Sequence, residues 1–215
     1  MEWDRLRAEM VEKQLRRRGV RDPRVLDAMR KVPRHEFIPG APSSAAYADE
    51  PAPIGAGQTM SQPYMVAAMA EALELAGPER VLEVGAGSGY HAAVLAELAA
   101  EVFTIERQPE LVNLARANLA RLGYTRVTVL EGDGSLGYAP AAPYQAISVA
   151  AGAPEVPARL LEQLDENNGR LVIPVGSLDD QELRLIRKRA GRMETRVVNY
   201  CRFVPLRGEQ AWRTR

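Results

Sequence analysis

The chain has 215 residues with 28 basic and 28 acidic side chains, and its formal net charge is zero. That balance excludes broad electrostatic attraction to nucleic acid, and the absence of any apolar run of 18 residues excludes a membrane-spanning helix. The single cysteine, Cys201, excludes an internal disulfide and fits a reducing, cytoplasmic setting.

The opening MEWDRLRAEM is charged throughout and lacks the apolar core of a signal peptide. Residues 4–18 then place Leu6, Met10, Val11 and Leu15 at helical spacing among charges. Asp22 before Pro23 reads as an N-cap and first helical position. The helix they open carries Val25, Leu26 and Met29 on one face and is expected to end before Pro33. Residues 33–60 are rich in Pro, Gly, Ala and Ser and predict a long loop, functional or mobile. Within it His35 is either catalytic or a packing group. Tyr47 and Asp49 either line a groove or are structural. Ser61 is expected to cap a helix with Met65, Met69 and Leu73 on one face, and a hydroxyl at a helix start also suits an anion.

Residues 80–107, RVLEVGAGSGYHAAVLAELAAEVFTIER, organise the rest. An unbroken apolar run reads as a buried parallel strand. Gly85, Gly87 and Gly89 then allow a tight turn and close approach of a ligand. An Ala/Leu-rich helix and a second strand ending at Glu106 complete the unit. Pro109 opens a helix closed by Gly123, and a third strand over 127–130 ends in Gly132-Asp133-Gly134. Residues 144–149 form a fourth strand, followed by small residues and a helix with Leu160, Leu161 and Leu164. Asn167-Asn168-Gly169 closes that helix and 171–175 is a fifth strand. Residues 182–189 and 194–206 alternate as an antiparallel edge pair would. Cys201 lies in an apolar run there and reads as a small packed side chain, not a nucleophile. Trp212 is expected to pack on the domain. The sum is one α/β domain: a doubly wound, Rossmann-like sheet, mostly parallel, with an antiparallel C-terminal edge and added N-terminal helices. Residues 1–78 supply the helices and a substrate loop, and 79–215 a cofactor-binding core.

The acids indicate the ligand. Glu106 ends the second strand, where a carboxylate can accept both hydroxyls of a ribose. Glu83 ends the first, where it would repel a phosphate and suit a cation such as the ammonium and sulfonium of S-adenosyl-L-methionine. The spacing G-x-G-x-G does not meet the pyrophosphate fingerprint. Asp133 is either an acceptor for the exocyclic amine of adenine or a turn aspartate.

Further blocks carry a resemblance over nearly the whole chain: RHEFIP at 34–39, PIGAGQTMSQPYMVA at 53–67, LEVGAGSGY at 82–90, TIERQPEL at 104–111, GDG at 132–134, APEVPARLLEQL at 153–164, GRLVIPVG at 169–176 and FVPL at 203–206. The sequence resembles the protein-L-isoaspartate O-methyltransferases, which belong to the wider adenosylmethionine-dependent class. The resemblance implies methylation of the free α-carboxylate of L-isoaspartyl residues in damaged proteins and peptides, the first step of their repair. It implies Ser61 as the active-site residue and cofactor contacts from Gly57, Gln58, Thr59, Glu83, Gly85, Gly87, Gly89, Glu106, Arg107, Asp133, Gly134 and Gln210. It implies S-adenosyl-L-methionine as cofactor and S-adenosyl-L-homocysteine as product. A monomer with no metal, no nucleic-acid partner and no membrane is expected. Ser148 and Gly152 depart from the family's commoner residues. The rivals are a methyltransferase acting on RNA or a small molecule, and a non-catalytic cofactor-binding subunit. The loop after the fourth strand reads VAAGAP and carries no N-P-P-[YF]-type motif. Asn168-Gly169 is also a dipeptide prone to succinimide formation: either a plain turn, or a site where aged enzyme becomes its own substrate.

Overall fold

The computed structural model describes residues 2–40 and 43–213; Ala41 and Pro42 of the expected loop, and the chain ends, lie outside them. Helix α1 (Glu2–Met10) runs on through a π-helical turn at Val11–Leu15. Helix α2 (Pro23–Lys31) starts as expected, with the Asp22 carboxylate accepting from Arg24 N at 2.8 Å. The segment read as a loop contains a single-turn helix, α3 (Ser43–Ala46), and a two-stranded hairpin, β1 (Ala52–Gly55) with β2 (Gln58–Met60). Gly55, Ala56 and Gly57 all take positive φ at its tip, a conformation for which glycine carries no steric cost. Helix α4 (Pro63–Ala72) is capped at Gln62, not Ser61, because Pro63 occupies the first helical position.

The main sheet follows. Its strands are β3 (Arg80–Val84), β4 (Glu101–Glu106), β5 (Val127–Glu131), β6 (Ala146–Val149), β7 (Gly169–Gly176), β8 (Gln181–Arg189) and β9 (Arg192–Cys201). Helices α5 (Tyr90–Ala96), α6 (Pro109–Arg121) and α7 (Ala158–Glu162) make the crossovers. The spatial order is β5-β4-β3-β6-β7-β8-β9. The first five pair in parallel, while β8 and β9 are antiparallel. The expected doubly wound sheet with its antiparallel edge is therefore present, although β9 ends at Cys201, before the expected boundary at 206.

Strand order reverses between β3 and β6, and the carboxyl ends of strands flanking such a reversal leave a crevice. Val81 and Leu82 are wholly buried on opposite faces of β3. Val81 joins the core formed with the N-terminal helices, α4 and α5, whereas Leu82 joins the core beneath α7. Burial of each such side chain contributes about 1.5–3 kcal/mol, so the loops at the strand tips rest on a stiff base.

Candidate active site

A cavity of ≈ 650 Å³ opens at the carboxyl ends of β3 and β4, within the roughly 300–1,000 Å³ range of small-molecule sites. Gly85, Ala86 and Gly87 form part of its wall. Gly85 has φ +96° and its N–H donates to the Ile105 carbonyl at 2.8 Å, turning the chain sharply off β3. Gly134 also lines it, and a Cβ there would collide with the Val84 side chain, so only glycine lets the segment after β5 lie this close to β3.

Glu106 lies at the rim of the cavity, 8 % exposed. Its Oε2 accepts from Gly87 N at 3.1 Å, and its Oε1 accepts from Arg107 N at 2.9 Å and Gln108 N at 3.1 Å. These bonds fix the carboxylate at the cavity rim and leave Oε2 with one acceptor site to spare.

The opposite wall comes from late in the chain. Val204 to Arg207 cross the sheet end and line the cavity. They are stitched to the loop after β6: Gly152 N donates to Val204 O, and Leu206 N to Gly152 O, each at 2.8 Å. The Trp212 indole donates to the Gly152 carbonyl at 3.1 Å, so Trp212 packs as expected. Gly152 has no room for a side chain, because the Gln181 amide occupies that space.

A second cavity of ≈ 520 Å³ continues from the first as a groove. Thr59, Ser61, Ala150, Val204, Pro205 and Arg207 line both. The Ser61 hydroxyl therefore stands at the junction, with no hydrogen bond to any described residue. Tyr64, Asn199 and the 76 % exposed Tyr200 line the groove further out.

Residues 5–211 match the family described as protein-L-isoaspartate(D-aspartate) O-methyltransferase. The chain belongs to that family. Among curated relatives, the protein-L-isoaspartate O-methyltransferase of Methanoculleus marisnigri is 54% identical over 97% of this chain and 94% of its own. That of Koribacter versatilis is 54% identical over 96% and 92%. Among solved structures, a protein-L-isoaspartate O-methyltransferase aligns with TM-score 0.82 at 30% identity over 95% of this chain and 67% of its own. A Plasmodium falciparum protein solved with S-adenosyl-L-homocysteine aligns with TM-score 0.81 at 28% identity, covering 94% and 98%. The chain is thus an S-adenosylmethionine-dependent methyltransferase, and the RNA, small-molecule and non-catalytic readings are not favoured.

Of the residues expected to serve this methyltransferase, Gln58, Thr59, Ser61, Gly85, Gly87, Glu106, Arg107 and Gly134 line the cavity. The others stand elsewhere. Gly57 is at the hairpin tip, and Gly89 turns into α5 where its Cβ would press on Leu119. Asp133 stands behind the cavity lining. Its Oδ1 accepts from Ser135 N at 2.9 Å and Ser135 Oγ at 2.7 Å, and its Oδ2 from Glu209 N at 2.8 Å. Gln210 lies off the cavity, with Oε1 accepting from Arg159 N at 3.0 Å.

Glu83 departs most from expectation. It does not grip a cation, because its side chain is 0 % exposed and points into the core between α5 and the sheet. Its Oε2 accepts from Thr104 Oγ1 at 2.5 Å, while Oε1 has only His91 Nδ1 nearby, at 3.4 Å. Burial, opposed by the Thr104 hydrogen bond and reinforced by the Glu106 charge, pushes the Glu83 carboxyl up to about 8. Burial pushes His91 down to about 4. His91 lines the cavity and was not foreseen; the signal was a polar side chain two residues after the last loop glycine, where helix packing asks for an apolar one.

His35 packs. Its ring stacks on Trp3 at 4.1 Å, and Nδ1 lies 2.7 Å from the Tyr47 hydroxyl. Tyr47 is buried and Asp49 pairs with Arg18, so both are structural. Cys201 lines the groove, but burial raises its thiol to about 11, which leaves it protonated and inert.

Proposed function

We propose that this enzyme transfers a methyl group to the free α-carboxylate of an L-isoaspartyl residue presented by a protein or peptide lying in the groove. The observation that carries the reading is the Ser61 hydroxyl, which bonds to no described residue where the groove meets the larger cavity. S-Adenosylmethionine supplies an activated methyl on a sulfonium. The chain's own residues bind and orient. The cavity residues fit the cofactor: Glu106 is fixed at the rim with an acceptor site on Oε2 left for a ribose hydroxyl, and the Gly85–Gly87 backbone admits close approach.

A carboxylate has an ordinary pKa near 4 and is ionised at neutral pH, so no general base is required. The site agrees, since His35 is spent on Trp3 and Tyr47 and burial makes His91 a weak base, near 4. Ser61 donates a hydrogen bond that aligns the carboxylate. Alignment of reactants is worth on the order of 7–11 kcal/mol in well-oriented systems. Arg207, which lines the junction with Ser61, adds the one cationic side chain among the described residues that both cavities share. Of the described residues between 40 and 60, only Pro51 and Thr59 reach the groove, so a bound peptide meets mainly the end of β9 and residues 201–207.

Residues 1–78 and 79–215 act as one domain, supported by the core they share. The enzyme acts as a monomer, because the free edge of β9 carries Arg192, Glu194 and Arg196, which discourage edge-to-edge pairing. A cytoplasmic location is supported by its one free cysteine; among the described residues no helix is long and apolar enough to cross a membrane. Methyl transfer from labelled cofactor to an isoaspartyl peptide, with the normal aspartyl peptide as control, tests the function. Equal labelling of the two peptides, or of neither, overturns it.

A further inference from the structure

Directly behind the cavity wall lies a row of polar side chains that the transfer step does not use. Register pairs Glu83 with Thr104 on β4 and with Ser148 on β6, so all three point to the same face of the sheet. All three are fully buried, and His91 closes the row from α5. Thr104 spends its hydroxyl on Glu83 Oε2. Three further polar atoms in this small space, Glu83 Oε1, His91 Nε2 and Ser148 Oγ, are enclosed without a hydrogen-bond partner. Buried polar groups are ordinarily satisfied. A cluster left open, one side chain behind a ligand cavity, is a place where protonation answers to what the cavity holds.

We infer that Glu83 and His91 are a charge-sensing pair that distinguishes the sulfonium cofactor from its neutral thioether product. The inference rests on the methyl-donor reading of the cavity. In the empty enzyme at neutral pH the pair holds one proton, on the Glu83 carboxyl facing His91 Nδ1, because burial disfavours the carboxylate. A permanent cation held in the cavity that His91 lines would favour the carboxylate. The proton on Glu83 is then released to solvent as the cofactor binds. Methyl transfer abolishes the sulfonium charge, and Glu83 takes one proton back from solvent. The charged groups around Glu83 are few. On β4 Glu106 raises its affinity for the proton, on β6 Ser148 is neutral, and on α5 His91 is neutral. The one acid of α4, Glu71, is turned away to accept from Arg21 N and Asp22 N.

Titration calorimetry in buffers of differing ionisation enthalpy counts the protons. At pH 7 the wild-type enzyme is expected to release a substantial fraction of a proton on binding S-adenosylmethionine and much less on binding S-adenosylhomocysteine. Linkage then makes the affinity for S-adenosylmethionine rise by up to about tenfold per pH unit below pH 8, while that for the product stays nearly flat. Glu83→Gln, a neutral isostere of the protonated acid, is expected to abolish the difference between the two ligands. An infrared difference spectrum of the wild type supplies a second measurement: the carboxylic acid carbonyl band is lost with the cofactor and kept with the product. Equal proton release by both ligands in the wild type, or a difference that survives in Glu83→Gln, overturns the inference. Tight binding of both ligands in those same titrations leaves the methyl-donor reading standing, so the two fail separately.

Discussion

Glutamine at position 83 should make the protein more resistant to unfolding above neutral pH. The folded Glu83 carboxyl sits at about 8 against an ordinary value of 4.5. Its contribution to stability is therefore complete below pH 4.5 and is lost as pH rises to about 8. His91 runs the other way, at about 4 in the fold against 6.5. Its contribution is complete above pH 6.5 and is lost as pH falls to about 4. Between 4.5 and 6.5 the two slopes cancel. Above 6.5 only Glu83 acts, and the wild type loses about 1.4 kcal/mol per pH unit until about pH 8, roughly 2 kcal/mol in all. With a urea slope of about 2 kcal/mol/M, that is a fall of about 1 M in the unfolding midpoint between pH 6.5 and 8.5. Glu83→Gln lacks this titration, so its midpoint should hold over the same interval. Urea denaturation of both proteins at the two pH values decides it. Parallel losses in wild type and variant would refute the buried, protonated state of Glu83.

Ser61→Ala removes one hydrogen bond to a charged group, worth about 1.5–3 kcal/mol. Turnover should fall roughly 10- to 100-fold while S-adenosylhomocysteine affinity in a calorimetric titration stays within about twofold; unaltered turnover would remove Ser61 from the site. Glu106→Ala frees three loop N–H groups and removes the expected ribose acceptor, so the same titration should show affinity weakened about tenfold or more. At Asn168 the structure favours the plain turn. Gly169 N, the atom that would attack the Asn168 side chain, is already bonded to Asp165 O at 3.0 Å. Folded enzyme aged at neutral pH and given labelled cofactor without peptide should yield no base-labile methyl ester at position 168.

The parallel sheet was legible because its strands are short, mostly apolar runs ending in glycine, as at 81–85 and 171–176. The hairpin at 52–60 was not. Its inward residues, Ala52 and Ile54, alternate over too few positions to stand out, and Gly55-Ala56-Gly57 reads as loop composition. The position of Ser61 was foreseen but its local role was not, since the proline at 63 sets the helix start one residue later. Glu106 faces the cavity as expected, whereas Glu83 occupies the equivalent strand end but turns inward, and alternation within a strand does not say which face a ligand will meet. Asp133 and Gln210 meet in a contact between distant segments that spacing does not reveal: residues 208–210 close over the turn after β5, and Gly208 leaves no room for a side chain beside Asp133.

The indole that latches the late segment to Gly152 gives the enzyme an optical gauge of its own. Of its two tryptophans, Trp3 lies against an imidazole far along the chain, and Trp212 hangs from the flap that walls the methyl donor. A red shift in emission from Trp212, isolated in a Trp3→Phe background, would register that flap lifting into water, in real time and without a label.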